Sequence, residues 1–149
     1  MDYKKSLEDL EKAISELIEE NKIIPIIVEG DKDIDALRKL GINGKIISVN
    51  IGTSLIDFCD KIADNYKDII ILTDWDRRGG YLCHTIKKNL EGRVYCNLHY
   101  REIFAKNSMI RTIEGLPSWI ENIRNKLVNG FKRNYKEDDR EGKQSNKVR

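Results

Sequence analysis

Apolar residues along this chain recur in two alternating rhythms. In the first stretch Leu7, Leu10, Ile14, Leu17 and Ile18 return every three or four positions, which predicts an amphipathic helix with one apolar stripe. Ser6 with Asp9 three residues on is a capping-box pattern for its start, and Asn21 marks its stop. The period then shortens. Ile23 to Val28 is a compact β-branched run, and Pro25 within it predicts an edge position or a strand start. Asp33 to Leu40 is helical again, with Ile34, Leu37 and Leu40 on one face and Gly41 as the C-terminal cap. Lys45 to Val49 reads as the second strand. Gly52-Thr53-Ser54 opens a helix that buries Leu55, Cys59, Ile62, Ala63 and Tyr66. Asp68 to Thr73 is the third and most hydrophobic strand, the pattern of a central parallel strand. The next helix opens at Gly79 or Gly80, carries Leu82, Cys83, Ile86 and Leu90, and ends at Gly92. Arg93 to Leu98 is a fourth strand. From there to Ile113 neither period dominates. Pro117 suits the first position of a last helix bearing Trp119, Ile120, Ile123 and Leu127.

Strand and helix alternating four times predict an α/β fold: a Rossmann-like, open, mainly parallel four-stranded sheet with helices on both faces, plus an N-terminal and a C-terminal helix. Right-handed crossovers bring the loops that follow the strands to one edge. The chain divides into an N-terminal amphipathic helix packed on the core (1–22), an α/β domain (23–130) and a flexible charged tail (131–149). The apolar stripe of the first helix must bury itself on this domain or dock a protein partner.

Composition narrows the class. A chain of 149 residues with 40% hydrophobic content is long enough for one real core. No window approaches the run of about 18 apolar residues that a membrane span needs, and the polar N-terminus is not a signal peptide. Cys59, Cys83 and Cys96 are odd in number and widely spaced, which argues against a zinc site or a disulfide frame and for reduced thiols in a cytoplasmic protein. The net charge of +2 hides an asymmetry. Residues 1–76 carry 10 basic and 17 acidic side chains, giving −7, whereas residues 77–149 carry 17 and 8, giving +9. A basic sector beside an acidic cluster suits a phosphate-bearing polymer held near a metal, although basic residues also merely solvate helix faces.

The acidic cluster lies at two strand ends. Glu29-Gly30 follows the first apolar run, and Asp74-Trp75-Asp76 follows the third, 45 residues later. If both runs are parallel strands of one sheet, Glu29, Asp74 and Asp76 converge on the edge where such folds bind ligands. One carboxylate pair at about 4 Å costs roughly 4 kcal/mol at an effective dielectric of about 20. A hard divalent cation such as Mg²⁺, or Mn²⁺, offsets that repulsion. Residues two apart on extended chain point to the same side, so Asp74 and Asp76 can reach one ion while Trp75 points away to pack. Arg77 and Arg78 follow at once; they either bind a scissile phosphate or neutralise the carboxylates. Gly79 and Gly80 stand at a helix start, where their amides can face an anion or simply permit a tight turn. Lys87, Lys88, Arg93 and Arg101 are candidate backbone contacts to nucleic acid. His84 and His99 have no ligand partners in the sequence.

Taken together, Val28-Glu29-Gly30 with Asp33, and then Asp74-x-Asp76-x-x-Gly79, resemble the Toprim domain, the catalytic core shared by bacterial-type primases, type IA and type II topoisomerases and several nucleases. The Asn50-Ile51-Gly52-Thr53-Ser54 loop is similar to the glycine-bearing loop that the family places after its second strand. The resemblance covers about residues 23–98, or extends to Ile123. It implies Glu29 as general acid/base and metal contact, Asp74 and Asp76 as Mg²⁺ ligands, and Gly30, Gly52 and Gly79 as turn-shaping residues. Asp33 matches the acidic residue that often follows the family's glutamate; it is a helix-start residue first and a site residue second. One departure stands out: Asp31 occupies the place where many members have a basic residue, and Lys32, a candidate phosphate contact, comes next.

The resemblance implies a Mg²⁺-dependent enzyme acting on phosphodiester bonds of RNA or DNA, with a nuclease of structured RNA as the leading expectation. The alternative is a non-catalytic nucleic-acid-binding or scaffold module that docks a protein through its first helix. A D-x-D pair also occurs in phosphatases of the haloacid-dehalogenase type, but those carry it after the first strand.

Overall fold

The computed structural model describes residues 1–50 and 52–130. The expected tail, 131–149, and Ile51 of the second loop lie outside the described residues. The elements run α1 (Tyr3–Glu20), β1 (Ile26–Val28), α2 (Asp31–Lys39), β2 (Ile46–Ser48), α3 (Leu55–Asn65), β3 (Asp68–Ile71), α4 (Arg77–Leu90), β4 (Tyr95–Asn97), α5 (His99–Lys106) and a last helix, α6, over residues 116–130. The four strands form one wholly parallel sheet in the order β2-β1-β3-β4. The α/β architecture expected from the apolar rhythm is therefore the one observed.

Each strand is only three or four residues long, so the sheet acts through its side-chain alternation. Ile26, Val28, Ile70 and Leu72 face one layer, where α1, α2, α5 and α6 contribute Leu10, Leu17, Leu37, Phe104 and Ile120. Ile27, Ile69 and Ile71 face the other, where α3 and α4 contribute Phe58, Ile62, Cys83, Ile86 and Leu90. Period two in the strands and burial on both faces produce the near-continuous isoleucine runs.

Several boundaries differ from the sequence expectation. Ile23 is 90% exposed and lies in a turn, and β1 begins only at Ile26. Pro25 precedes an internal strand, so it marks a strand start and not an edge; its carbonyl accepts from the Ile70 amide at 2.9 Å. Helix α1 is N-capped by Asp2, whose carboxylate accepts from the Lys5 amide at 3.1 Å, while Ser6 is buried within the helix and caps nothing. Asn21 is its C-cap, and Gly41, at φ 91°, follows the end of α2 as expected. The stripe Leu10, Ile14 and Leu17 is buried in this chain's own core, against α5 among others, and is not left open to a partner. The stretch without a clear period holds α5 and an irregular segment, 107–115, that reaches the carboxyl edge of the sheet. Among the described residues no helix is long and apolar enough to cross a membrane, and Cys59, Cys83 and Cys96 are free.

Candidate metal centre

Parallel pairing of β1 with β3 carries both acidic loops to the same edge. Just past β1, the Glu29 carboxylate accepts a hydrogen bond from the Asp74 amide at 3.2 Å, so the two distant stretches meet directly. Just past β3, the chain crosses Thr73 and turns into α4. Asp76 is the N-cap of that helix: its carboxylate accepts from the Gly79 amide at 2.7 Å. The Asp74 carboxylate turns to the irregular segment and accepts from the Ile113 amide at 2.8 Å. Asp33, in the first turn of α2, accepts from the Gly30 amide at 3.2 Å. Each carboxylate is thus oriented through a backbone donor, with acceptor capacity remaining on its oxygens.

This geometry revises some residue roles. Helix α4 begins at Arg77, two residues before the glycine pair, and the Gly79 and Gly80 amides are taken by Asp76 and are not free for an anion. Gly79 is required by proximity: a Cβ there would collide with the Asp74 carbonyl. Gly30 stands in the bend between β1 and α2, but the bend does not require a glycine: its backbone is extended (φ −153°) and a Cβ would meet nothing within 4 Å. Gly52 has φ 81°, a conformation that favours glycine. Trp75 packs against the core, with its ring 6.3 Å from that of Phe104 and its indole N–H donating to the Ile110 carbonyl at 2.6 Å.

Arg101, by sequence a candidate contact to nucleic acid, faces inward. It donates to the Thr73 carbonyl at 3.1 Å and to the Asp74 carbonyl at 2.8 Å, and so braces the D-x-D loop. Arg93 pairs with Asp60 at 3.0 Å, between α3 and the end of α4. Glu114, which no sequence pattern singled out, lines the same cleft as Glu29; burial first raises the Asp33 pKa, and the Glu114 charge adds to that rise.

The electrostatics follow from burial first. Partial burial raises the Glu29 pKa above its usual value; the Asp74 amide pulls it back, Asp33 and Asp76 push it up again, and Arg78 opposes them. Asp74 is pushed up to about 6, chiefly by desolvation, against the Ile113 hydrogen bond and with help from Asp33, Glu29 and Asp76. Asp33 is raised for the same first reason. Among the described residues the ion pairs are Lys22–Glu19, Arg93–Asp60 and Arg124–Glu11, none of which touches this cluster.

The donors fit Mg²⁺ or Mn²⁺ better than a softer ion. They are carboxylate oxygens, and no His or Cys stands among them. Among the described residues no three such groups close into a ready ligand cage. Mg²⁺ does not need one, since it keeps several waters and takes one or two carboxylates. Glu29 and Asp33 open into a cleft of about 660 Å³ that Asp31, Lys32 and Arg78 also line, together with Asn50 and Thr53 of the second loop; Asp74 and Asp76 stand beside it, outside its lining. Arg77 is exposed on α4 and does not line it.

Comparison with known proteins matches residues 24–107 to the Toprim domain model. A UPF0292 protein of Thermoplasma volcanium is 43% identical over 102 residues, covering 68% of this chain and 86% of that one. A UPF0292 protein of Methanosarcina barkeri is 31% identical over 137 residues, covering 89% and 95%. A solved structure of a protein from Aquifex aeolicus superposes with a TM-score of 0.61 at 26% identity, covering 69% of this chain and 94% of that one.

Proposed function

This chain belongs to the Toprim domain family, and from that premise we propose that it is a Mg²⁺-dependent nuclease acting on structured RNA. Membership carries a metal-dependent, nucleic-acid-related function; the reaction and substrate are our reading. The observation that supports it most is the hydrogen bond from the Asp74 amide to the Glu29 carboxylate, by which the glutamate and D-x-D loops touch at the carboxyl edge of the sheet.

In this reading Asp74 and Asp76 hold the ion, with Glu29 beside them. When bound, the ion supplies Lewis-acid polarisation of a phosphoryl oxygen and neutralises developing charge. Glu29 moves the proton of the attacking or leaving oxygen, and its raised pKa brings that exchange closer to neutral pH. Arg78 and Lys32, exposed at the cleft mouth, hold phosphate oxygens. Arg101 acts behind them by fixing the D-x-D backbone. Asp33 anchors the start of α2 and adds negative charge behind Glu29.

The test is incubation of the full chain with structured RNAs and single-stranded DNA, with and without Mg²⁺ or Mn²⁺. Metal-dependent cleavage that falls at least about 100-fold in Glu29→Gln and Asp76→Asn is expected. Asparagine is as good an N-cap as aspartate, so Asp76→Asn removes charge and leaves α4 capped. Tight RNA binding by the unaltered chain with no cleavage under any metal would turn the reading to a non-catalytic binding module.

A further inference from the structure

We propose that Tyr81 is a stacking platform for one unpaired nucleobase beside the scissile phosphate; the inference rests on reading the cleft as a phosphodiester site. Tyr81 lies in the second turn of α4, past the Asp76 cap, and is 75% exposed. The other large apolar side chains exposed among the described residues, such as Ile23, Ile56, Met109 and Val128, lie outside the cleft, whereas Tyr81 lines it. Val49, Leu55 and Leu82 line the cleft with it. The cleft therefore has two kinds of lining. One is carboxylate, with Arg78 and Lys32 at the mouth; the other is aliphatic and aromatic.

That pairing matches the two halves of a nucleotide, an anionic phosphate and a flat apolar base. A ring open to solvent on a helix offers a face to any base, because every base has a π-face. Such stacking needs a base already out of a helical stack, so it selects loops, bulges and single strands over duplex. The aromatic residue gives a preference for unpaired nucleotides without reading their sequence.

The experiment titrates the full chain with a short single-stranded RNA and its DNA counterpart, each carrying 2-aminopurine, and with a perfect duplex of each. Titrations are run in EDTA and again with Ca²⁺ in place of Mg²⁺. Wild type and Tyr81→Phe are expected to bind the single strands alike and to quench the fluorescent base. Tyr81→Leu is expected to bind them about ten-fold or more weakly, without quenching, while duplex affinity stays unchanged. Equal affinity and quenching in Tyr81→Leu would overturn the inference and leave the proposed function standing. So would loss in Tyr81→Phe, or equal loss on duplex and single strand. Failure of the wild-type chain to bind any of these nucleic acids would instead remove the parent reading, and the inference with it. The RNA and DNA arms tell which backbone the site prefers.

Discussion

The two acidic loops at the carboxyl edge are held very differently. The loop after β3 is fastened from several directions. Arg101 grips its carbonyls, the Ile113 amide turns Asp74, Trp75 is tied through both nitrogens to residues 110 and 111, and Gly79 lies against the Asp74 carbonyl. The Thr73 hydroxyl also donates to the Gly79 carbonyl at 2.8 Å. The loop after β1 has fewer ties: the Asp33–Gly30 contact, the Ser48 hydroxyl and the Asn50 amide on the Glu29 carbonyl, and the amide that meets the Glu29 carboxylate. A pair of carboxylates meant to share one ion gains from rigid placement, since an error of an ångström loses affinity. In the proposed function the more firmly braced loop is the one that carries the ion's carboxylates.

The largest break in the contrast comes from placing a methyl group on each loop. Gly79→Ala drives a Cβ into backbone, and we expect roughly 3 kcal/mol of destabilisation, read as a shift in the urea midpoint. Arg101→Leu leaves two carbonyls without their charged donor; about 2 kcal/mol is expected in the same measurement, with metal affinity falling in calorimetry. The third effect is one of pH. Asp74 has a folded pKa of about 6, above its unfolded value, so protonation favours the folded state. The stability it contributes is full below about pH 4 and is lost as pH rises through about 6. In chelating buffer the protein is expected to gain on the order of 1 kcal/mol between pH 7 and 4 from this group, after screening, and Asp74→Asn to flatten that slope. Gly30→Ala closes the series. Its Cβ meets nothing, and chain stiffening offsets the poorer N-cap, so the midpoint should move by less than about 0.5 kcal/mol. Equal losses at Gly79 and Gly30 would erase the contrast.

The sheet and most helices were legible because buried parallel strands must be β-branched and apolar, and the helices on them must show a stripe. The meeting of the Glu29 and Asp74 loops was legible because each follows an apolar run that reads as a parallel strand of one sheet. The bracing was not. The donor to Asp74 is a backbone amide, which every residue but proline has, so Ile113 carries no mark of its role. Arg101 looks like any surface cation until α5 turns it toward Thr73. Asp76 did carry an N-cap signal, with its acceptor three residues ahead of Gly79, but the glycine pair drew the expected helix start too far along.

The segment that fixes Asp74 lies beyond residue 107, where the match to the family ends. A chimera cut at that boundary would inherit all three acidic side chains, with Glu29 and Asp76 still oriented by their own amides and Asp74 left without the one that aims it.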